Sequence, residues 1–336
     1  MTTREAAVRS RRVTVSRSVV AESPWVRFAV RRSGRLLVSL WALLTAAFLM
    51  VHLVPGDPVR AALGAAAPND LVEARRHTLG LDDPLWLQYA HYLRGLATGD
   101  LGTSMTSGLP VSQVIGDRLP ATLELAGLAF VVAVLLAVPL GLGMAVLTRG
   151  GRRPRVELGF TTASVVVGAV PEFLVAVGLV LVLSVRLGWF PVAGSDGFAS
   201  LVLPVAALAT APIAVLARIV RVEVLSVLDA DFVRTARAKR LPARRIYLRH
   251  VLPNALTASI TLGGLLLGAL VAGTVLVENV FSWPGLGSTI VSSILSKDYP
   301  LVQAVVLVYG VAVLLVNLLV DVLLALLDPR STIREA

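Results

Sequence analysis

Residues 125–147 read LAGLAFVVAVLLAVPLGLGMAVL, 23 residues without a formal charge. A helix needs about 20 apolar residues to cross the hydrocarbon core of a bilayer. A buried helix of a large soluble protein would carry a polar face, and this run has none. Working outward, five more runs share its character. Residues 36–54, 201–217 and 256–277 are uncharged, at 19, 17 and 22 residues, and the second of these contains Pro204 and Pro212. Residues 301–327 hold one charge, Asp321, and 158–185 are apolar but interrupted by Pro171-Glu172. The expected fold is all-α and polytopic, with six transmembrane helices.

Composition agrees. Of 336 residues, 56% are apolar and 15% charged, with a mean hydropathy of +0.80. Soluble domains carry about 25% charge. Disorder is excluded, since it needs low hydrophobicity and high net charge. The absence of cysteine excludes a disulfide scaffold and a thiolate metal site. The net charge of +10 is explained by where the cations lie. Lys and Arg number nine within 1–35, four within 149–155, nine within 218–249, and two near the end, Arg330 and Arg334. That puts 24 on one side of a six-span chain and seven on the other: Arg60, Arg75, Arg76, Arg94, Arg118, Arg186 and Lys297. The positive-inside rule then places both termini in the cytoplasm and needs no nucleic acid to explain the charge. The first span is longer than a signal-peptide core and reads as a retained anchor. The Arg-rich tail 1–30 lacks an apolar period and is expected to be disordered or to lie on the anionic lipid surface.

The loops differ in information. Residues 186–200 and 282–300 read as short outer loops. The first outer loop is long, with Trp86, Tyr89 and Tyr92 among leucines. The inner loop 218–254 is patterned. Asp229 or Asp231 can cap a helix start. Residues 232–240 contain no Gly or Pro, and Pro242 suits the start of a second short helix reaching Leu252-Pro253. Arg234, Arg237 and Arg240 recur at every third position around the small Thr235, Ala236 and Ala238. A short helix of this kind can lie in a groove of another protein.

No catalytic constellation accompanies these spans. The two lysines, Lys239 and Lys297, do not complete a phosphate-cradling Gly-Lys-Ser/Thr loop, so the chain has no ATP site of its own. The four histidines make no H-E-x-x-H helix, and no Gly-x-Ser-x-Gly elbow occurs. Acids at membrane depth are costly and face a protein interior or a water path. Glu124, Glu157 and Glu278 stand near span ends, whereas Glu172 and Asp321 are deeper. Asn317 shares a helix face with Asp321. Glu172, Glu278, Asn317 and Asp321 are therefore candidates for path lining or helix packing, as are Gly264 and Gly268, whose spacing permits close backbone approach.

The loop Arg234-Thr235-Ala236-Arg237-Ala238-Lys239-Arg240, with His250-Val251-Leu252-Pro253 following, resembles the EAA loop of ABC importer membrane subunits, in the form found in the B-type subunit of the dipeptide/oligopeptide permease family. Val51-His52-Leu53-Val54-Pro55-Gly56-Asp57-Pro58, Gly99-Asp100-Leu101-Gly102 and Ala121-Thr122-Leu123-Glu124-Leu125 agree with it. So do Phe281-Ser282-Trp283-Pro284-Gly285-Leu286-Gly287, Asp298-Tyr299-Pro300 and Asn317-Leu318-Leu319-Val320-Asp321. The resemblance implies a type I ABC importer permease architecture. It divides the chain into a cytoplasmic tail 1–30, a first transmembrane helix 31–55, an external region 56–117, a permease domain 118–328 with coupling loop 218–254, and a cytoplasmic tail 329–336. It implies a multi-pass subunit of the bacterial inner membrane, without enzymatic activity or bound cofactor. Its partners would be a second permease subunit, two ATP-binding subunits that hold the ATP, an external substrate-binding protein and membrane lipid. It assigns the ATPase-coupling role to Asp231, Arg234, Thr235, Ala236, Arg237, Ala238, Lys239, Arg240, Leu252 and Pro253. The implied cargo is a dipeptide or oligopeptide, with nickel or another small solute as the alternative. The family carries Gly where Arg240 stands, for a turn between two short helices, and Ile where His250 stands. A secondary transporter driven by an ion gradient is the competing reading. It would need paired broken helices and repeated halves, and only the third span is broken.

Overall fold

The computed structural model describes residues 24–53, 58–64, 66–78 and 80–327, and regular structure among them is helical apart from one isolated bridge between Thr103 and Pro110. Lipid offers no partner to backbone N–H and C=O groups, so a helix, which satisfies its own, is the available solution. The chain opens with α1 (Pro24–Leu53), so the first helix starts ahead of residue 31. A small unit follows: α2 (Pro58–Leu63), α3 (Asn69–Thr78) and α4 (Leu85–Thr98). Then come α5 (Val111–Thr148), α6 (Pro154–Ala169) and α7 (Glu172–Leu179). After these, α8 (Phe198–Leu228), α9 (Asp231–Ala238), α10 (Ala243–Arg245), α11 (Leu252–Val280), α12 (Leu286–Leu295) and α13 (Tyr299–Leu327) complete the order. Among the described residues five helices are long and apolar enough to cross a membrane, and six if the bent pair of α6 with α7 and its extension to Arg186 counts as one span.

The third span bends by 92°. Val170 is extended there, and Pro171 has no N–H to continue the ladder, so α6 ends and α7 begins anew at Glu172. At the other end α7 widens into a π-type turn, Val180–Arg186. The residues read as a short outer loop, 282–300, contain a ten-residue helix, α12, together with two tight turns.

Packing is densest between α5 and α8. Along α5, Leu125, Ala129, Ala133, Ala137, Gly141 and Ala145 recur every four residues and are all buried. This forms one ridge of mostly small side chains, which lets a neighbouring backbone come close. At Gly141 a Cβ would stand 2.6 Å from the carbonyl oxygen of Ala217 and 2.8 Å from Val220 Cβ. Gly264 meets Val320 of α13 as closely, and a Cβ on Gly268 would lie 3.7 Å from Val313. The Gly264/Gly268 pair thus packs α11 against α13. Also on α13, Gly310 receives Leu43 of α1.

One capping geometry recurs. Helices α3, α4, α9, α11 and α12 each end with paired 6→1 and 5→2 backbone bonds. In α9 these are Leu241 N–H to the Ala236 carbonyl (3.3 Å) and Arg240 N–H to Arg237 (2.8 Å). The residue at the turn is left-handed: Gly80, Gly99, Arg240 (φ 53°), Ser282 (φ 50°) and Lys297 (φ 58°). Three of the five are not glycine, which costs each on the order of 1 kcal/mol. The turn that the Gly-to-Arg departure concerns is therefore made, with Arg240 in the conformation a glycine would supply.

Candidate functional site

At the end of the bundle where α5 meets the last turn of α8, α9 lies across the helix ends. Its start differs from the sequence expectation. Ala230 occupies the cap position without a side-chain bond, and Asp231 is the first helical residue, where its charge meets the positive helix end. One face of α9 is anchored: Val233 and Ala236 are buried in a cluster with Val224, Leu228, Ile246, Val251 and Ala255. The opposite face is open. Asp231, Phe232, Arg234, Thr235 and Ala238 are exposed, as are Lys239 and Arg240 in the turn. Arg234 Nη1 pairs with Asp231 Oδ1 at 3.4 Å, and the Thr235 hydroxyl donates to the Asp231 carbonyl. Arg237 is half-buried, with one guanidinium nitrogen unpartnered among the described residues. Ala236, which the sequence places in a small docking surface, therefore packs inward, while Phe232, which the sequence reading passed over, stands out at 46% exposure.

The flanks of this segment are not free loop. Residues 218–228 continue α8, and Arg221 is buried in it. Its guanidinium reaches Thr148 Oγ1 at 2.9 Å and Glu157 Oε1 at 2.7 Å, so it ties α8 to the end of α5 and the start of α6. Arg149 adds a bond to the Leu228 carbonyl (3.3 Å). On the far side, Pro242 caps α10, which passes through a π-type turn (Ile246–Val251) directly into α11. Pro253 lies in the first turn of α11, where a missing N–H is tolerated, and exposed Asn254 donates to the His250 carbonyl at 2.7 Å. Leu252 is half-buried and Pro253 exposed. The second short helix is thus the beginning of the fifth span, and α9 is wedged between the fourth span and the fifth.

At the opposite end, two clusters gather distant sequence motifs. Glu278 is fully buried and accepts from the Thr122 hydroxyl (2.7 Å) and from the N–H groups of Gly287 (2.6 Å) and Ser288 (3.1 Å). Those N–H groups open α12, so the carboxylate also meets a positive helix end. Gly285 and Gly287 are glycine because a Cβ on either would strike the Glu278 carboxylate. Trp283 Nε1 donates to the Ala121 carbonyl at 3.1 Å. Glu278 accordingly ties α11 to α5 and to the start of α12. In the second cluster Asp298, 1% exposed, accepts from the Ser104 hydroxyl, Met105 N–H (3.1 Å) and Thr106 N–H (3.2 Å), holding the 103–110 hairpin. Nearby, His52 bridges α1 to α4 through the Phe48 carbonyl and Gln88 Oε1 (3.0 Å). Phe48, Tyr89 and Tyr92 stack around it, and burial pushes the Tyr92 phenol up to about 12. Residues 54–57 of that motif lie outside the described residues.

The remaining candidates separate. Asp321 pairs with Arg32 of α1, and Asn317 beside it is half-buried without joining that pair. Glu124 is exposed on α5. Glu172 is half-buried at the bend of the third span.

Comparison with known proteins agrees with this architecture. Residues 137–333 match the family described as binding-protein-dependent transport system inner membrane component, and residues 25–126 match the N-terminal region of such membrane components. The glutathione transport system permease protein GsiC of Pectobacterium atrosepticum is 39% identical over 304 residues, covering 90% of this chain and 98% of that protein. Its counterpart in Escherichia coli K12 is 37% identical over the same shares of each chain. An inward-facing structure of the MetNI methionine ABC transporter shares the fold, with a TM-score of 0.56 and 17% identity over 65% of this chain and 97% of that one. The chain belongs to the family of inner membrane components of binding-protein-dependent transport systems, in its ABC importer permease branch.

Proposed function

We propose that this subunit forms half of the translocation path of an ATP-driven importer of small peptides, with both termini in the cytoplasm, and that α9 receives the stroke of a partner ATPase. The ATP is bound by that partner, since the chain has no phosphate-cradling loop. A second permease subunit completes the path, and an external binding protein delivers the cargo. The relatives named for glutathione, itself a small peptide, favour a peptide over nickel. The charge distribution, 24 cations against seven, favours the cytoplasmic assignment for the α9 end.

The observation that carries the reading is the two-faced α9. Its inner face is seated on the ends of the fourth and fifth spans, and burying Val233 there is worth roughly 1.5 kcal/mol. Its outer face offers an exposed aromatic, Phe232, beside the exposed Arg234 and Arg240. Buried apolar clusters move as units. A displacement of α9 is therefore passed to α8 and α11, rocking the spans between inward-open and outward-open arrangements. The test is Phe232→Glu in the complete importer. The variant should insert and assemble with its second permease subunit, while uptake per ATP hydrolysed falls at least about tenfold, since aromatic anchors at interface centres are worth 2 kcal/mol or more. Unchanged coupling in the assembled variant removes α9 from the transmission.

A further inference from the structure

Membrane-depth acids persist where a partner or water meets them. Here Asp321 is held by Arg32, Glu157 by Arg221, and Glu278 by Thr122 with two backbone N–H groups. Glu172 differs. It makes no hydrogen bond or ion pair among the described residues, although it is half-buried and stands midway along the third span, directly after the 92° bend. It is the first residue of α7, at the positive end of that helix.

Its surroundings form a cavity of about 220 Å³ between the third, fourth and fifth spans, walled by Gly168, Pro212, Val215, Leu270 and Gly273 among others. Glu172 is the one titratable group in that lining. Gly273 leaves the carboxylate room: a Cβ there would stand 3.1 Å from Glu172 Oε1. Pro212 has no N–H for the carbonyl of Leu208, four residues earlier and also in the wall, so a second oxygen lacks its usual helical partner. A carboxylate, a released carbonyl and apolar walls together complement a small organic cation rather than an anion.

We propose that this cavity is a cation-binding station in the translocation path, where Glu172 takes the free ammonium group of the passing solute. The inference rests on the importer reading above and adds to it the group recognised inside the membrane. Peptides with a free amino terminus would be carried in preference to the same peptides acetylated there.

Two measurements on the complete importer in proteoliposomes test it. The native chain has no cysteine, so Ala211→Cys, with Val215→Cys as a second reporter, places a single thiol of this subunit in the cavity wall. Trimethylammonium-ethyl and sulfonato-ethyl methanethiosulfonate are compared for rate, each scaled to its rate on a free thiol. The cationic reagent should be favoured at least about fivefold, the effect of one charge a few ångströms away in water. Glu172→Gln should bring the ratio to about one. An unlabelled thiol at both positions, or a ratio that Glu172→Gln leaves unchanged, overturns the station. In the second measurement, Glu172→Gln should raise the KM for alanyl-alanine more than for N-acetyl-alanyl-alanine, and equal effects on the two also overturn it. If the charge preference is present but the native importer carries no peptide, the peptide assignment fails while the cation site stands.

Discussion

Glu278 shows what one residue fixes in this molecule. Its carboxylate has three donors drawn from two elements: a hydroxyl on α5 and two N–H groups opening α12. Replacing an oxygen by an amide nitrogen turns part of this set into donor facing donor. Hydrogen bonds to charged groups are worth roughly 1.5–3 kcal/mol, so Glu278→Gln should destabilise by about 2 kcal/mol. Thermal unfolding in detergent should fall by roughly 5 °C. An unchanged midpoint would show that the cluster is not a staple. Arg240 gives the opposite sign. It holds a left-handed conformation that glycine adopts without steric cost, so Arg240→Gly should stabilise the α9 turn by about 1 kcal/mol. Slower amide exchange at Leu241 is the readout, and faster exchange there contradicts the capping account.

Among the elements, the six spans were legible because lipid imposes one rule, about 20 apolar residues per crossing. Five of the six runs lie within the helices found, that of 158–185 with its break at Pro171-Glu172, and the first matches α1 up to Leu53, residue 54 lying outside the described residues. The shorter pieces were not legible to the same rule. The helix α12 has ten residues and four of them are serine or threonine, so it reads as a loop. It is a helix because Glu278, some nine residues earlier, caps its first N–H groups. The four-residue recurrence of small side chains on α5 was readable and more extensive than the Gly264/Gly268 pair. In α9 the sequence placed the arginines and small residues but could not tell the inner face from the outer. That distinction depends on which side Val224, Leu228 and Val251 occupy. The consequence is that a bulky charge at Ala236 would act by breaking the subunit's own packing. Phe232 is the position that tests the interface without that effect.

The whole molecule is polarised. One end carries α9, the arginine ties of Arg149 and Arg221, and most of the cations. The other carries the Glu278 and Asp298 clusters and the small helical unit before α5. The quoted motifs converge on these ends: Thr122 of one meets Leu286 of another, as well as Glu278 just ahead of it, and Gly102 lies against Pro300. Contacts across more than 150 positions leave no local signal, which is why the motifs could be quoted from the sequence but not connected. The polarity predicts an orientation. Single cysteines at Ser18, outside the described residues, and at exposed Ser107 should separate under an impermeant thiol reagent added outside cells, with labelling at Ser107→Cys alone. Labelling at Ser18→Cys instead reverses the topology and removes α9 from the cytoplasm.

The central claim is that an ATPase drives transport through this subunit. Its most direct test is uptake of a small peptide by cells carrying the complete importer, with internal ATP held constant while a protonophore dissipates the proton gradient. The account predicts that uptake continues at its full rate under the protonophore and stops when ATP is depleted. Uptake that collapses with the gradient at constant ATP would contradict it and make the chain a gradient-driven carrier.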